Sequence, residues 1–422
     1  MLTFEDECRL ARNVAFLAYA QEDPNCIPAV CVEQDVRRVA LNIRLATNSG
    51  TQLLKNALAG LQKIFDLMAA GNETWPLEEH IFTLIIEMCS ERILTRLGLA
   101  SRKTTAGRKQ KQPFVRALEG VRALIEAAAK TDDTEMSESK QGFLAGAREV
   151  SKSVTRWEDH RSIESLKGIV AAICHFKDST NLDRILASIP DTQLVPTAKV
   201  SIKNKVNKVS RYRELARWFS RRARDNAAYR QLQALQINLP ERFHGREPCA
   251  TPKIPLFIET INLATFPEIY KTKTVKRMYN ILQTTAPAAD AQFRQRLSKT
   301  LGESKIHAEV QLAYFYELNK DTIPLMPRAV CSSKDACWLC NIFVDAHGKM
   351  FTPRCHGVLY PGWRQPHIPG SSLTDSIVAQ MAARLRRQVA ESVRALLQRG
   401  ERTVYPQPNE STLTMLSQSL ST

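Results

Sequence analysis

The sequence predicts an α+β protein in which a large, mainly α-helical N-terminal region is followed by a smaller C-terminal domain that combines helices with strand. Long segments rich in Leu, Ala, Arg, Gln and Glu favour helix, and the 16 Gly and 20 Pro in 422 residues are few for an all-β chain. A short apolar stretch at 327–331 predicts one buried strand. We place the helical region at 1–245, the C-terminal domain at 246–400 and a disordered tail at 401–422.

The N-terminal region has the apolar periodicity of helices that pack on a core. From Leu2 to about Ala129, apolar residues recur at steps of three and four, as at Leu61, Ile64 and Met68. We therefore expect helices in this stretch, separated by a turn at Gly71, Asn72 and Pro76 and by a linker or exposed loop at 101–112. The same periodicity predicts helices over 143–157, 163–176 and most of 180–240.

The C-terminal domain is expected to begin after a group of prolines. Pro240, Pro248, Pro252 and Pro255 interrupt any helix and indicate a domain boundary. Helix is predicted again as far as Leu301. A long amphipathic helix is expected to close the domain, with a buried stripe formed by Ile377, Met381, Leu385, Val389, Val393 and Leu396.

The overall charge favours a polyanionic partner. The formal net charge is +16, which favours partners such as nucleic acids, nucleotides or anionic membrane surfaces. The first residues include Glu5, Asp6 and Glu7 and do not resemble a secretory signal, and no apolar stretch is long enough to cross a bilayer. We therefore expect an intracellular protein, cytoplasmic or nuclear, without a membrane partner.

Two short motifs carry the chemistry that this sequence suggests. They are the tripeptide His-Ala-Glu at 307–309 and the tetrapeptide Cys-Trp-Leu-Cys at 337–340. In zinc-dependent deaminases, an H-x-E and a C-x-x-C element supply one imidazole and two thiolates to the metal and leave a fourth position for water. We predict His307, Cys337 and Cys340 as zinc ligands. Glu309 is predicted to stay off the metal and to transfer a proton between water and substrate.

Both motifs are predicted to lie at helix starts. Cys337 and Cys340 share a helix face because they are three residues apart, and the amides of a helix N-terminus stabilise thiolates. The side chains that suggest a helix start near 334–336 are Ser332, Ser333 and Asp335.

His307 and Glu309 are only two residues apart, so in the middle of a helix they would point to different sides. They converge only where the backbone enters its first turn. Ser304 is the expected N-cap of this helix.

The stretch from Ile306 to Pro366 resembles the zinc-dependent nucleic acid and nucleotide deaminase superfamily, and more closely its OTT-like branch, which is widespread in fungal proteins. The residues that carry this resemblance are His307, Ala308, Glu309, Ser333, Lys334, Cys337, Cys340, His356, Gly357, Tyr360 and Trp363. The resemblance implies an α/β/α cytidine-deaminase-like core, a bound zinc ion, and hydrolytic removal of an amino group from a nucleobase, whether in a nucleoside, a nucleotide or a nucleic acid.

This chain departs from the usual pattern of that superfamily in two places. Ala336 stands where members commonly have proline before the first cysteine. Members also begin with a β-hairpin ahead of the histidine, whereas residues 255–300 are predicted to be mainly helical. The position at which the domain begins is therefore left open.

A second interpretation is a closed, structural zinc site. Cys331, Cys355 or His356 would then supply a fourth ligand and exclude water. The chain would be a non-catalytic interaction protein whose N-terminal helices bind a protein partner.

Other residues are candidates for substrate contacts. His356 is a candidate for touching substrate or for ordering a turn, and Trp363 for stacking on a base. A basic helical stripe is a candidate for binding phosphates, with a solvated helix face as the alternative; it comprises Arg213, Arg217, Arg221 and Arg224.

Overall fold

In the computed structural model, the described part of the chain comprises residues 1–35, 37–48, 51–71, 76–100, 113–127, 134–240, 243, 255–265, 272–323, 325–360, 362–366 and 372–401. The predicted tail lies outside these residues, except for its first residue. Among the helices of the described ranges, none is both long and apolar enough to cross a membrane.

The chain begins with a helix and a β-hairpin. Helix α1 spans Phe4–Ala18, and the side chain of Thr3 caps it by accepting a hydrogen bond from the Asp6 amide. A 3₁₀ turn at Pro24–Cys26 leads into strand β1, Pro28–Asp35, which is followed by strand β2, Ala40–Thr47.

A block of helices follows the hairpin. Its elements are α2 (Thr51–Ala70), α3 (Leu77–Leu97), α4 (Phe114–Ala127), α5 (Thr134–His160), α6 (Ile163–Ser179), α7 (Leu182–Ser188) and α8 (Pro196–Asp225). A 3₁₀ turn at Ala227–Arg230 then precedes strand β3, Leu232–Gln236.

The C-terminal part returns to the sheet. Its elements are α9 (Phe257–Thr265), α10 (Thr272–Ile281), α11 (Ala286–Glu303), α12 (Ala308–Leu318), β4 (Cys331–Ser332), α13 (Trp338–His347) and α14 (Ser372–Arg399). The predicted strand is therefore present but shorter and displaced, since only Cys331 of the stretch 327–331 lies in it.

The four strands form one mixed sheet in the order β3-β2-β1-β4. Strand β1 pairs antiparallel with β2 and with β4, and β2 pairs parallel with β3. Val30 lies opposite both Leu45 and Cys331, so the N-terminal hairpin is hydrogen-bonded to the strand that precedes the cysteine motif. The sheet thus combines the N-terminal hairpin with one strand from the middle of the chain and one from its C-terminal part.

Helices cover both faces of this sheet. Residues such as Val30 and Ile43 point into a large core shared with α1, α2 and the following helices. Ala29 and Cys31 point to the opposite face, into a second core shared with α12 and α13. The layering is α/β/α, and the predicted α+β class, with a mainly helical N-terminal region, is confirmed.

The helical prediction within 2–129 is wrong for residues 28–47, and that for most of 180–240 is wrong for 232–236. The predicted linker at 101–112 lies outside the described residues. Leu41, Ile43 and Leu45 alternate with polar residues, which is the period of a strand. One of these polar residues, Arg44, is held by Glu33 of the neighbouring strand at 3.0 Å. The division at 245 stays a prediction, although the sheet and the second core take residues from both sides of it.

Candidate metal centre and active site

His307 is placed at the start of α12. It is the N-cap residue, with extended backbone angles of φ −68° and ψ 153°, and Glu309 lies in the first turn. The prediction that the pair occupies a helix start is confirmed. Ser304, however, is not the cap: it ends α11, and its amide donates to the Thr300 carbonyl.

The cysteine motif is also placed at a helix start, a few residues later than predicted. Cys337 is itself the N-cap of α13, and its sulfur accepts a hydrogen bond from the Cys340 amide at 3.4 Å. A helix-start amide therefore donates to the Cys337 sulfur, and this contact favours the thiolate form of Cys337.

The two motifs meet across the second core. The Nδ1 atom of His307 lies 3.7 Å from Cys337 Sγ and 3.4 Å from Cys340 Sγ. The three donor atoms all lie within 4.8 Å of one another. A tetrahedral zinc site, with Zn–S near 2.3 Å and Zn–N near 2.0 Å, requires neighbouring donors to lie about 3.6 Å apart. The residues present therefore fit a zinc ion in both donor type and spacing.

The three donors also perturb one another. Hydrogen bonding with Cys340 lowers the pKa of Cys337; burial opposes this, His307 adds to it, and the pKa falls to about 6. Burial raises the pKa of Cys340 well above its ordinary value. For His307, burial lowers the pKa, but Cys337 and Glu309 outweigh that effect and the pKa is raised. Without a metal, only one of the two thiols ionises readily. A divalent cation bound between them would stabilise both as thiolates.

Glu309 stands beside this group without belonging to it. The side chain is buried, with 6% of its surface exposed, and its Oε2 atom accepts a hydrogen bond from Cys340 Sγ at 3.5 Å. The candidate metal group among the described residues contains only His307, Cys337 and Cys340. A carboxylate in this position would be adjacent to a metal held by these three donors without being one of its ligands.

The residues that would close the site have other contacts. The thiol of Cys331 donates to the Cys8 carbonyl at 3.7 Å, and the sulfur of Cys355 accepts from the Gly357 amide at 3.3 Å. The Nδ1 atom of His356 accepts from the Val358 amide at 3.1 Å. Within the described ranges, none of the three joins the donor group.

This geometry agrees with a comparison against known protein families. Residues 306–367 match an OTT_1508-like deaminase. This range, called the deaminase segment below, contains both motifs, so the resemblance predicted from the sequence is confirmed over these residues. No curated protein and no solved structure matches the chain.

Residues at the end of strand β2 form hydrogen bonds with the deaminase segment. The side-chain oxygen of Asn48 accepts a hydrogen bond from the Ala308 amide at 2.9 Å. Gln311, which is buried, donates to the Thr47 carbonyl at 2.8 Å and to the Ile306 carbonyl at 2.9 Å. Asn48 thus takes the role of an N-cap side chain, since His307 makes no side-chain cap bond. Sequence reasoning missed these contacts because they join residues far apart in the chain.

The predicted substrate residues lie around the same site. His356 packs edge-on against Tyr360, and the Tyr360 ring centre lies 6.4 Å from that of His307. Trp363 lies 6.4 Å from Phe343 of α13, and its backbone pairs with Lys305 just before the histidine. Their proposed contacts with substrate stay predictions.

The predicted arginine stripe is in a different part of the fold. It lies on α8, whose buried face belongs to the large core. Arg213 contacts Glu78 at 2.8 Å, and Arg217 lies 3.5 Å from Asp178. Two of the four arginines are therefore paired with carboxylates within the fold, and the other two, Arg221 and Arg224, are exposed. Nucleic-acid binding by this stripe stays a prediction.

Proposed function

We propose that this chain is a zinc-dependent hydrolytic deaminase that acts on a nucleobase, as a hydrolase of a cyclic amidine C–N bond. The match of the deaminase segment supports deaminase chemistry in general. The observation that carries the finer proposal is the buried carboxylate of Glu309 next to a three-donor group. A catalytic zinc site has three protein ligands and an open position, whereas a structural site has four.

In this proposal, His307, Cys337 and Cys340 hold the metal. Zinc bound there supplies Lewis acidity that makes a water molecule nucleophilic near neutral pH. Glu309 accepts one proton from the water whose oxygen bonds to the ring carbon, and delivers it to the ring nitrogen. It then takes the second proton of that oxygen as the carbonyl forms, and delivers it to the amine as the C–N bond breaks. The products are the carbonyl base and ammonia, so the carboxylate ends each cycle as it began.

Burial of Glu309 suits this role. A carboxylate that is screened from bulk water interacts strongly with a nearby cation and with a developing charge. Its contact with Cys340 holds it at the metal side of the site. His356, Tyr360 and Trp363 border the site and are our candidates for orienting the base.

The test is Glu309→Gln, which keeps the size of the side chain and removes its basicity. We expect zinc content to be unchanged and ammonia release from nucleosides or oligonucleotides to fall by at least about 10²-fold. The matched control is Glu303→Gln at the exposed end of α11, which should leave ammonia release unchanged. Full activity in Glu309→Gln would overturn the proposal.

A second experiment separates the open site from a closed one. Because the Cys331 thiol donates a hydrogen bond to the Cys8 carbonyl, Cys331→Ala should leave zinc affinity unchanged. Cys340→Ser, by contrast, should abolish tight zinc binding. If Cys331→Ala instead released zinc, the site would be structural. A chain whose folding depends entirely on zinc and which releases no ammonia from any nucleoside or oligonucleotide would point to the non-catalytic alternative.

A further inference from the structure

The helices that flank the deaminase segment are strongly basic. Helices α9, α10, α11 and α14 together contain 11 Lys and Arg against 5 Asp and Glu. Helices α9, α10 and α14 share a third apolar core, in which Met278 of α10 and Val393 of α14 are buried. Their charged faces are therefore carried by elements that pack together.

Helix α10 separates its charges cleanly from its apolar residues. Lys273, Lys276 and Arg277 are all exposed, and their spacing of three and four residues places them on one helical face. Val275 and Met278 are on the opposite side, where they pack into the third core. The cationic face of α10 is thus turned to solvent.

Helix α14 joins this region to the metal site. Its first half buries Ile377 and Met381 in the core that contains Cys337 and Cys340. Its second half packs on α9 and α10. Two exposed arginines, Arg386 and Arg387, lie between the two halves. At 1.5 Å per residue, Arg387 is only about 9 Å along the helix axis from Met381.

These cations differ in their partners from Arg213 and Arg217, the two paired arginines of the α8 stripe. Arg213 and Arg217 of α8 are held by carboxylates. By contrast, the structure gives no ion pair, within the described ranges, to the following five residues: Lys273, Lys276, Arg277, Arg386 and Arg387. We call these five the α10–α14 surface. Exposed cations without carboxylate partners keep their attraction for external anions.

We propose that the α10–α14 surface binds the phosphate backbone of a single-stranded nucleic acid and so presents one of its bases to the deaminase segment. This inference rests on the proposed function and narrows its substrate class to a polymer. A single strand fits because a base inside a duplex cannot reach a deaminase site without leaving the stack. A membrane fits less well, since membrane-surface helices insert their apolar face and that of α10 is already buried in the protein.

The test measures oligonucleotide binding by fluorescence anisotropy over a range of salt concentrations. The test variant carries Lys276→Gln, Arg277→Gln, Arg386→Gln and Arg387→Gln. We expect its affinity for a labelled single-stranded oligonucleotide to fall by at least about tenfold. The slope of log affinity against log salt concentration should become less negative by roughly 2 to 3, since each lost phosphate contact on a single strand changes this slope by about 0.7.

A charge-matched control neutralises four exposed cations elsewhere, namely Arg37, Lys55, Arg116 and Arg156. It should bind within about twofold of the unmodified chain, because the net charge alone does not define a phosphate-binding surface. If both variants lose affinity equally, binding is non-specific and the proposal is overturned. Binding to anionic vesicles but not to oligonucleotides would overturn it as well.

Ammonia release separates this inference from the proposed function. The test variant should deaminate oligonucleotides more slowly than the unmodified chain and free nucleosides at an unchanged rate. Equal loss on both substrates would contradict a role for the surface in delivering a polymer. The chain could also bind oligonucleotides through the α10–α14 surface and release no ammonia. That result would support the binding role of the surface and contradict the chemistry proposed for Glu309.

Discussion

Asn48 is expected to control zinc affinity, although it lies far from His307 in the sequence. Its side-chain oxygen accepts a hydrogen bond from the Ala308 amide at 2.9 Å, at the first residue of helix α12. Ala308 separates the predicted ligand His307 from Glu309. The substitution Asn48→Ala therefore removes the cap of the helix start that carries both candidate site residues.

The size of the effect follows from this contact. Loss of an N-cap acceptor costs about 1 to 2 kcal/mol, and the upper part of that range applies here because Ala308 is 1% exposed and water does not readily replace the oxygen. If the cost falls on the geometry of the loaded site, about 1.4 kcal/mol corresponds to a tenfold change in affinity. We therefore expect zinc affinity to fall by about tenfold or more, as is typical when a residue that supports a metal ligand is removed.

Competition with a chromophoric chelator measures this affinity directly. Asn48→Asp keeps the acceptor oxygen and adds a charge that is favourable at a helix N-terminus, so it should retain tight binding. Gln52→Ala is the matched control, because the exposed Gln52 side chain donates to Asn56 on the same helix, α2. The reasoning is refuted if Asn48→Ala binds zinc as tightly as the unmodified chain, or if Asn48→Asp loses as much affinity as Asn48→Ala.

Two further predictions concern the stability of the helical region, and urea unfolding followed by circular dichroism measures both. A Cβ atom at Gly146 would lie 2.5 Å from the buried Phe176 ring, so Gly146→Ala should lower the free energy of unfolding by about 1 to 3 kcal/mol. A Cβ atom at Gly120 would meet nothing within 4 Å, so Gly120→Ala should raise that free energy by up to about 1 kcal/mol. Equal effects of the two substitutions would contradict this prediction. The Arg213 guanidinium lowers the pKa of Glu79 below its ordinary 4.5, so Glu79→Gln should lower the free energy of unfolding by less than about 1 kcal/mol above pH 4.5. The difference in stability between this variant and the unmodified chain should vanish as the pH falls through the lowered pKa. A difference that grows in acid would contradict this prediction.

The sequence located the candidate site because the spacing of its residues is encoded locally. A spacing of three residues puts Cys337 and Cys340 on one helical turn, and the spacing of two between His307 and Glu309 requires a helix start. Both conditions concern the backbone within a few residues, and the structure meets both. Only the capping residues were wrong, since Cys337 and Asn48 have the roles expected of nearby serines.

Secondary structure was less reliable where both faces of an element are buried. Strand β1 has Val30 and Val32 in one core and Ala29 and Cys31 in the other, so its sequence lacks the polar alternation of a half-exposed strand. A continuous apolar run of this kind does not distinguish a strand from a buried helix. The charges of α8 were ambiguous for a related reason, since the sequence cannot tell which arginines meet carboxylates from other helices.

The sequence by itself therefore determined which side chains could hold a metal, which carboxylate is the candidate acid/base, and that helix dominates the chain. Only the tertiary structure decided that a hairpin at residues 28–47 completes the sheet beside Cys331, that Asn48 caps the helix that follows His307, and that Cys331 turns away from the donor group. Ligand spacing within a motif is set by local backbone geometry. Contacts between distant segments depend instead on how the whole chain buries its apolar surface, and no short stretch of sequence contains that information.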